Sequence, residues 1–232
     1  ILFVFCKRRT RVIIASAILR LYSLVLCTVV APDAPVGSSP LSMEGNISGW
    51  LDRTLFGSHI YVKGIYDPEG ILSTFPAVVT AMLGMFTGEF LLSRHYTPKK
   101  KALYMFYASV VFSVVGLLWS LVMPFNKMIW SSSFVCILAA YSLLLLSFFY
   151  WIIDVKGWKK WAMPFKVIGM NSITIYMAQR IIDFQGISDF FLRGVASRCP
   201  DPVADVINAA GYLLVSWLFL YFLYRKKVFL KV

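Results

Sequence analysis

The chain is short of charge. Of its 232 residues only 15% are Asp, Glu, Lys or Arg while 59% are hydrophobic, and its mean hydropathy is strongly positive. Soluble globular domains carry about 25% charged residues, so that class is excluded. Cysteine is scarce as well. Cys6, Cys27, Cys136 and Cys199 show no metal-ligand spacing and three of them lie in or beside apolar runs, so neither a metal centre nor a disulfide framework is expected. There is no initiator methionine, and the apolar residues 1–6 are followed, not preceded, by Lys7, Arg8 and Arg9. That order excludes a signal peptide. Residues 1–6 read instead as the tail of an earlier span, and the sequence as the C-terminal portion of a longer protein. No internal repeat is visible.

What is present is long hydrophobic runs. A helix needs about 20 apolar residues to cross a hydrocarbon core of about 30 Å, and six stretches meet or approach that length: 12–31, 70–92, 102–123, 131–154, 165–182 and 209–224. The expected fold is an all-α, polytopic integral membrane helical bundle of about six transmembrane helices, one domain over 7–232 with a long loop at 32–69. Cations fix the orientation. Four groups of four lie on one side of the spans: Lys7, Arg8, Arg9 and Arg11; Arg94, Lys99, Lys100 and Lys101; Lys156, Lys159, Lys160 and Lys166; Arg225, Lys226, Lys227 and Lys231. The other side holds Arg53, Lys63, Lys127, Arg193 and Arg198, and Arg20 and Arg180 fall inside runs. By the positive-inside rule the C-terminus is cytoplasmic and loops 32–69, 124–130 and 183–208 face outward. The net charge of +12 is thereby explained without nucleic acid.

The organising stretch is 66–76, where Tyr-Asp-Pro-Glu-Gly runs into the second apolar run. Asp67 suits a helix N-cap, Pro68 the first helical position and Glu69 the positive end of the helix dipole. Gly70 is harder to explain, because glycine in a first turn costs about 0.8–1 kcal/mol. A carboxylate at a membrane boundary usually has a partner or a task. The preceding loop divides in two. Its first half, 31–46, is rich in Pro, Gly and Ser and reads as flexible, and Asn46-Ile47-Ser48 is a glycosylation sequon. In its second half Trp50, Leu51, Leu55 and Phe56 have helical spacing, as in a short interfacial helix over an outward-facing cavity.

Other polar groups fall near span ends. Arg20, inside the first run, must face protein or water. Gly84 and Gly88 give small-xxx-small spacing for close packing, and Glu89 sits beside Arg94. Asn126, Lys127, Trp130 and Ser131 gather on the same side as Asp67 and Glu69, either as a serine cap with an interfacial tryptophan or as a ligand site. Asp154, at the unfavourable end of a helix dipole, reads as a structural anchor with Lys156 or Lys159, and Gly157 as the helix end. In the fifth run Ser172, Tyr176, Gln179 and Arg180 share one face near Asn171, read as a ligand-lining helix or as polar glue.

From about Leu51 to the C-terminus the chain resembles the heparan-alpha-glucosaminide N-acetyltransferase family and its bacterial relatives. The resemblance rests on Tyr-Asp-Pro-Glu-Gly-Ile-Leu at 66–72, Asn-Lys-Met-Ile-Trp-Ser at 126–131, Asp-Val-Lys-Gly at 154–157, Gly-Met-Asn-Ser-Ile at 169–173 with Tyr176, and Tyr-Arg-Lys-Lys-Val-Phe at 224–229. It implies a multispan enzyme that takes acetyl from cytosolic acetyl-CoA and delivers it to the amine of a terminal glucosamine across the membrane. It also implies that the family's catalytic histidine lies upstream of this sequence, so neither His59 nor His95 takes that role. The chemistry of the residues is compatible. Asp67 and Glu69 are the candidate acid/base or substrate-holding groups; Asn126, Lys127, Trp130, Ser131, Asn171, Ser172, Tyr176 and Arg180 are candidate binding groups. Lys99, Lys100, Lys101, Lys156, Lys159 and Lys160 suit CoA phosphates as well as topology. Expected partners are a glucosamine-ended glycan and the bilayer, with a homodimer open. The competing reading is a transporter or flippase for a polar or anionic solute, using Arg20, Glu69 and the Asn171 to Arg180 face.

Overall fold

The computed structural model describes residues 2–61 and 65–230. Lys63 and Lys231 of the charge count lie outside that range. Every regular element among the described residues is helical: α1 (Leu2–Phe5), α2 (Arg8–Thr28), α3 (Ile47–Phe56), α4 (Ile71–Leu92), α5 (Pro98–Ser120), α6 (Ser132–Tyr150, with a wider π-type final turn at Trp151–Val155), α7 (Met163–Met170), α8 (Ser172–Ala178), α9 (Phe184–Ala196) and α10 (Asp201–Arg225). The chain divides into two compact units, Ile1–Val155 and Lys156–Val232.

Five described helices are long and apolar enough to cross a membrane: α2, α4, α5, α6 with its final turn, and α10. The chain is therefore a multi-pass, all-α membrane bundle, with five such helices where six were expected. The missing one is the 165–182 run, which breaks at Asn171 (φ −132°, ψ 32°) into α7 and α8. Helices of 8 and 7 residues are each about 10–12 Å long at 1.5 Å per residue, too short to span. Three of the five begin earlier than their apolar runs, at Arg8, Pro98 and Asp201. Helical hydrogen bonding continues past the hydrocarbon boundary, where hydropathy alone stops.

In the first unit α2, α4 and α6 meet around Ala15, Leu19, Val79, Met82 and Val135. α5 and α6 form a tight hairpin: a Cβ on Gly116 would lie 3.1 Å from the Ile137 nitrogen, and Ser147 Oγ donates to the Ala102 carbonyl at 2.7 Å. Close packing thus falls on Gly116, not on Gly84 and Gly88, which face open space. The buried guanidinium of the first span is Arg11, not Arg20. Arg11 lies over the Phe3 ring at 4.1 Å and pairs with Glu89 at 2.6 Å, so Arg94 is not the partner of that acid. Arg20 is exposed. Lys101 is buried, its Nζ donating to the Leu91 carbonyl at 2.5 Å, where a cation complements the negative end of α4.

In the second unit α7 rests on α10, with Trp217 Nε1 donating to the Pro164 carbonyl at 3.3 Å. Residues 183–208, expected as an outer loop, contain α9, which runs antiparallel along α10. Phe184 meets Phe219 at 5.5 Å, while Ser188 and Leu192 crowd Gly211. A Cβ there would lie 2.2 Å from Ser188 Oγ, so only glycine admits α9 this closely.

Candidate functional site

Between α2 and α3 the chain forms a defined loop. Val30 pairs with Asn46 as an isolated antiparallel bridge and the Ala31 N–H donates to the Gly45 carbonyl at 2.9 Å, closing 31–46 into a compact Ω-loop. Gly45 is required at the closure, since a Cβ would lie 2.1 Å from the Ser39 carbonyl oxygen. Asn46 then caps α3, its side chain accepting from the Ser48 N–H at 2.8 Å. Both sequon residues are buried, 4% and 3% exposed, which removes Asn46 as an accessible acceptor. Arg53 on α3 ties the assembly together: it grips Asp33 with two bonds of 3.0 and 2.8 Å and donates to the Ile65 carbonyl. The guanidinium's hydrogen bonds hold Asp33 below the usual carboxylate range.

The 66–70 stretch is a turn, not the start of a helix. α4 begins at Ile71 with Gly70 as its N-cap, and the Gly70 N–H closes back on the Asp67 carbonyl at 3.2 Å. Asp67 is engaged within the turn, Oδ1 accepting from the Glu69 N–H at 2.9 Å and Oδ2 from the Tyr61 N–H at 3.0 Å. The orphan donor at the head of α4 is met by Asp52, from α3, whose Oδ1 accepts from the Ile71 N–H at 3.1 Å. Asp52 is 1% exposed and its Oδ2 makes no hydrogen bond. Burial pushes its pKa up; the Ile71 and Asp67 N–H groups pull it back, the nearby Asp67 charge adds to the rise, and Arg53 opposes it. Glycine is needed at 70 because a Cβ would lie 2.1 Å from Asp52 Oδ2. The Glu69 side chain is exposed.

The 124–134 segment is anchored by its serines. Ser131 Oγ caps α6, accepting from the Phe134 N–H at 3.3 Å and from the Asn126 N–H at 3.0 Å; Ser133 Oγ donates to the Met123 carbonyl at 2.6 Å and Ser132 Oγ to the Leu19 carbonyl at 2.7 Å. All three serines are fully buried. The Tyr22 hydroxyl donates to the Ile129 carbonyl, and Trp130 Nε1 to Thr80 Oγ1 at 3.0 Å. Trp130 has φ 51°, a left-handed backbone that costs a bulky residue of order 1–3 kcal/mol and is maintained by these neighbours. Asn126 Oδ1 accepts from the Met128 N–H at 2.8 Å, and Lys127 is exposed.

These motifs, distant in sequence, meet at a half-open cavity of about 70 Å³ whose wall includes Ser42, Asn46, Tyr66, Asn126, Met128 and Ile129. A water occupies about 30 Å³ of liquid, so the space suits a group of a few heavy atoms, less than a whole sugar ring. Asn126 is thus brought to the stretch that carries Asp67 and Glu69, while Trp130 and Ser131 support that wall from behind. Neither Asp52, within the expected interfacial helix, nor Tyr66, at the head of the organising stretch, was expected as a site residue. The one available signal for Asp52 was its i+3 and i+4 spacing from Gly49 and Ser48, which puts the three on one face of α3.

The other candidates lie in or at the edge of the second unit. Asn171 sits at the helix break, 1% exposed; Thr174 Oγ1 donates to its Oδ1 at 3.3 Å, and its Nδ2 is buried without a partner. Ser188 Oγ and Ser216 Oγ are buried and unpaired as well. Ser172, Tyr176, Gln179 and Arg180 are exposed, with Tyr176 at 70%. Asp154 and Lys156 are exposed near the end of α6, and Gly157 has the left-handed φ of 77° expected where that helix stops. Among the described residues no group of three or more His, Cys, Asp or Glu is placed to hold a metal ion.

No protein-family model matches the chain. It is 29% identical, over 81% of its length, to the heparan-alpha-glucosaminide N-acetyltransferase of Mus musculus, and equally to that of Homo sapiens. The chain spans 30% of the length of these curated relatives. On that likeness, carried by an all-α membrane bundle, the chain is a distant relative of the heparan-alpha-glucosaminide N-acetyltransferases.

Proposed function

We propose that this chain forms part of a transmembrane acyltransferase that moves acetyl from cytosolic acetyl-CoA to the amine of a glucosamine-type sugar on the outer side of the membrane. The observation that carries the reading is the presentation of Glu69: exposed, on a turn whose backbone is tied down on both sides, three residues from Tyr66, which with Asn126 lines a small cavity. In the overall reaction the amine nitrogen bonds to the acetyl carbon, the C–S bond of the thioester breaks, and the amine gives up a proton as CoA leaves as its thiol. Glu69 receives the amine proton, and the Asn126 amide donates to the oxygen that gains charge. Asp67 builds the turn. On the inner side the exposed Lys99 and Lys100 receive CoA phosphates; Lys101 is already engaged with the end of α4.

The test is transfer of labelled acetyl from acetyl-CoA to a glucosamine-ended oligosaccharide by the protein in vesicles, beside Glu69→Gln. The expected outcome is transfer by the parent and a loss of roughly 10²- to 10⁴-fold in the variant, with acetyl-CoA binding retained. A second reading, a transporter for a polar solute, is favoured by the helix break at Asn171 with its unpaired amide. A parent that neither binds acetyl-CoA nor transfers acetyl would put that reading first.

A further inference from the structure

Resting on the acyltransferase reading, we propose that Asp52 is the positioning residue for Glu69: from α3 it clamps the head of α4 and so fixes the turn that presents the Glu69 carboxylate. Three acids converge here and only one faces out. Asp67 holds the turn from before Glu69, with its two oxygens on the Tyr61 and Glu69 N–H groups at 3.0 and 2.9 Å. Asp52 holds it from behind, accepting from the Ile71 N–H at 3.1 Å while its carboxylate lies flat against Gly70. The contact is so close that a methyl group at 70 would fall 2.1 Å from Oδ2 and 2.6 Å from Cγ. Glu69, between the two clamps, is exposed with no side-chain hydrogen bond or ion pair among the described residues.

A buried carboxylate with one oxygen unpaired is a costly way to cap a helix. A serine or threonine at Gly70 would accept from the N–H of residue 72 or 73 and leave the Ile71 N–H to another partner. What Asp52 adds is linkage between elements: α3, the Ω-loop through Arg53 and Asp33, and the first turn of α4 become one rigid frame around Glu69. A displacement of about 1 Å at a reacting group costs on the order of 10²-fold in rate, so the frame acts on catalysis without touching substrate.

The experiment is a double-mutant cycle on acetyl transfer, with Asp52→Asn and Glu69→Gln singly and together, in protein whose thermal unfolding shows it to be folded. Asp52→Asn keeps the size and an acceptor for the Ile71 N–H but puts an amide NH2 in place of a carboxylate oxygen at Gly70. It is expected to lower kcat roughly 10- to 100-fold with acceptor KM unchanged, and to add less than about twofold in the Glu69→Gln background. Effects that multiply across the cycle would overturn the proposal, as would a raised KM at unchanged kcat. Amide exchange of the peptide covering 65–76 supplies a readout that needs no activity. Protection lost there alone in Asp52→Asn supports the clamp, and unchanged protection refutes it. If the parent transfers no acetyl, the acyltransferase reading falls while the exchange result still decides the clamp.

Discussion

The cap that α3 and its flanking loops form on the first unit and the interior of the second unit handle polar side chains in opposite ways. In the cap Asn46, Asp67, Ser131 and Ser133 each satisfy backbone groups at turns and helix starts, and among the described residues Asp52 Oδ2 is the cap's one buried side-chain oxygen without a partner. In the second unit Asn171 Nδ2, Ser188 Oγ and Ser216 Oγ are all buried without partners. Leaving such a group unmade costs about 1–3 kcal/mol. In the cap, polarity builds structure, whereas in the second unit three buried polar atoms have no protein partner among the described residues. Substitutions in the two regions should differ accordingly.

The largest effect is expected at Gly70→Ala. The added methyl group must displace Asp52 and part α3 from α4, an overpacking that costs about 1–3 kcal/mol, read as a lower thermal midpoint in detergent. Ser133→Ala should cost about 1–2 kcal/mol by leaving the buried Met123 carbonyl without its 2.6 Å donor. Were either substitution neutral, the cap would not be the rigid frame described.

A smaller effect separates parent from Asp52→Asn as pH is varied. Burial raises the pKa of Asp52 on folding, so folding takes up a proton; the contribution is complete below the ordinary aspartate value, about 3.9, and is lost as pH rises through the raised one. Asp67 and Arg53 face the same group with opposite signs, and burial outweighs both. Asp33 is lowered and runs the other way, but it is exposed and contributes little. The midpoint of Asp52→Asn relative to parent should therefore climb as pH rises from about 4. A falling difference would mean that the charged form of Asp52 is the stabilising one.

Much of this was legible in the sequence, for reasons that particular residues make clear. Long apolar runs bounded by cations located α2, α4, α5, α6 and α10, because hydrocarbon thickness sets helix length. Ser131 read as a cap because capping is local, three residues to Phe134. Local logic misled at Asp67, which has every mark of an N-cap; the real partner of the α4 head, Asp52, is 19 residues upstream on another helix. Arg11 with Glu89, 78 residues apart, was hidden for the same reason. The 165–182 run looked like a span because hydropathy averages over Asn171, where a single change of φ breaks the helix. α9 was missed because its helical pattern is short and interrupted by Asp189 and Arg193.

The smallest expected effect falls in the second unit and tests the comparison most directly. Asn171 is as buried as the serines of the cap, yet its Nδ2 bonds nothing and its Oδ1 only accepts from the Thr174 hydroxyl at 3.3 Å. Removing it deletes one weak bond and relieves an unpaired donor, two terms of opposite sign. Asn171→Ala should shift the thermal midpoint by less than the equivalent of about 1 kcal/mol, below Ser133→Ala, while Asn171→Ser retains some polarity at the break. If the amide is held in reserve for a ligand, the same substitution lowers acetyl transfer or acetyl-CoA binding out of proportion to its effect on stability. A midpoint loss as large as that of Ser133→Ala, with activity falling only in step, would make Asn171 another structural cap and erase the contrast between the two regions.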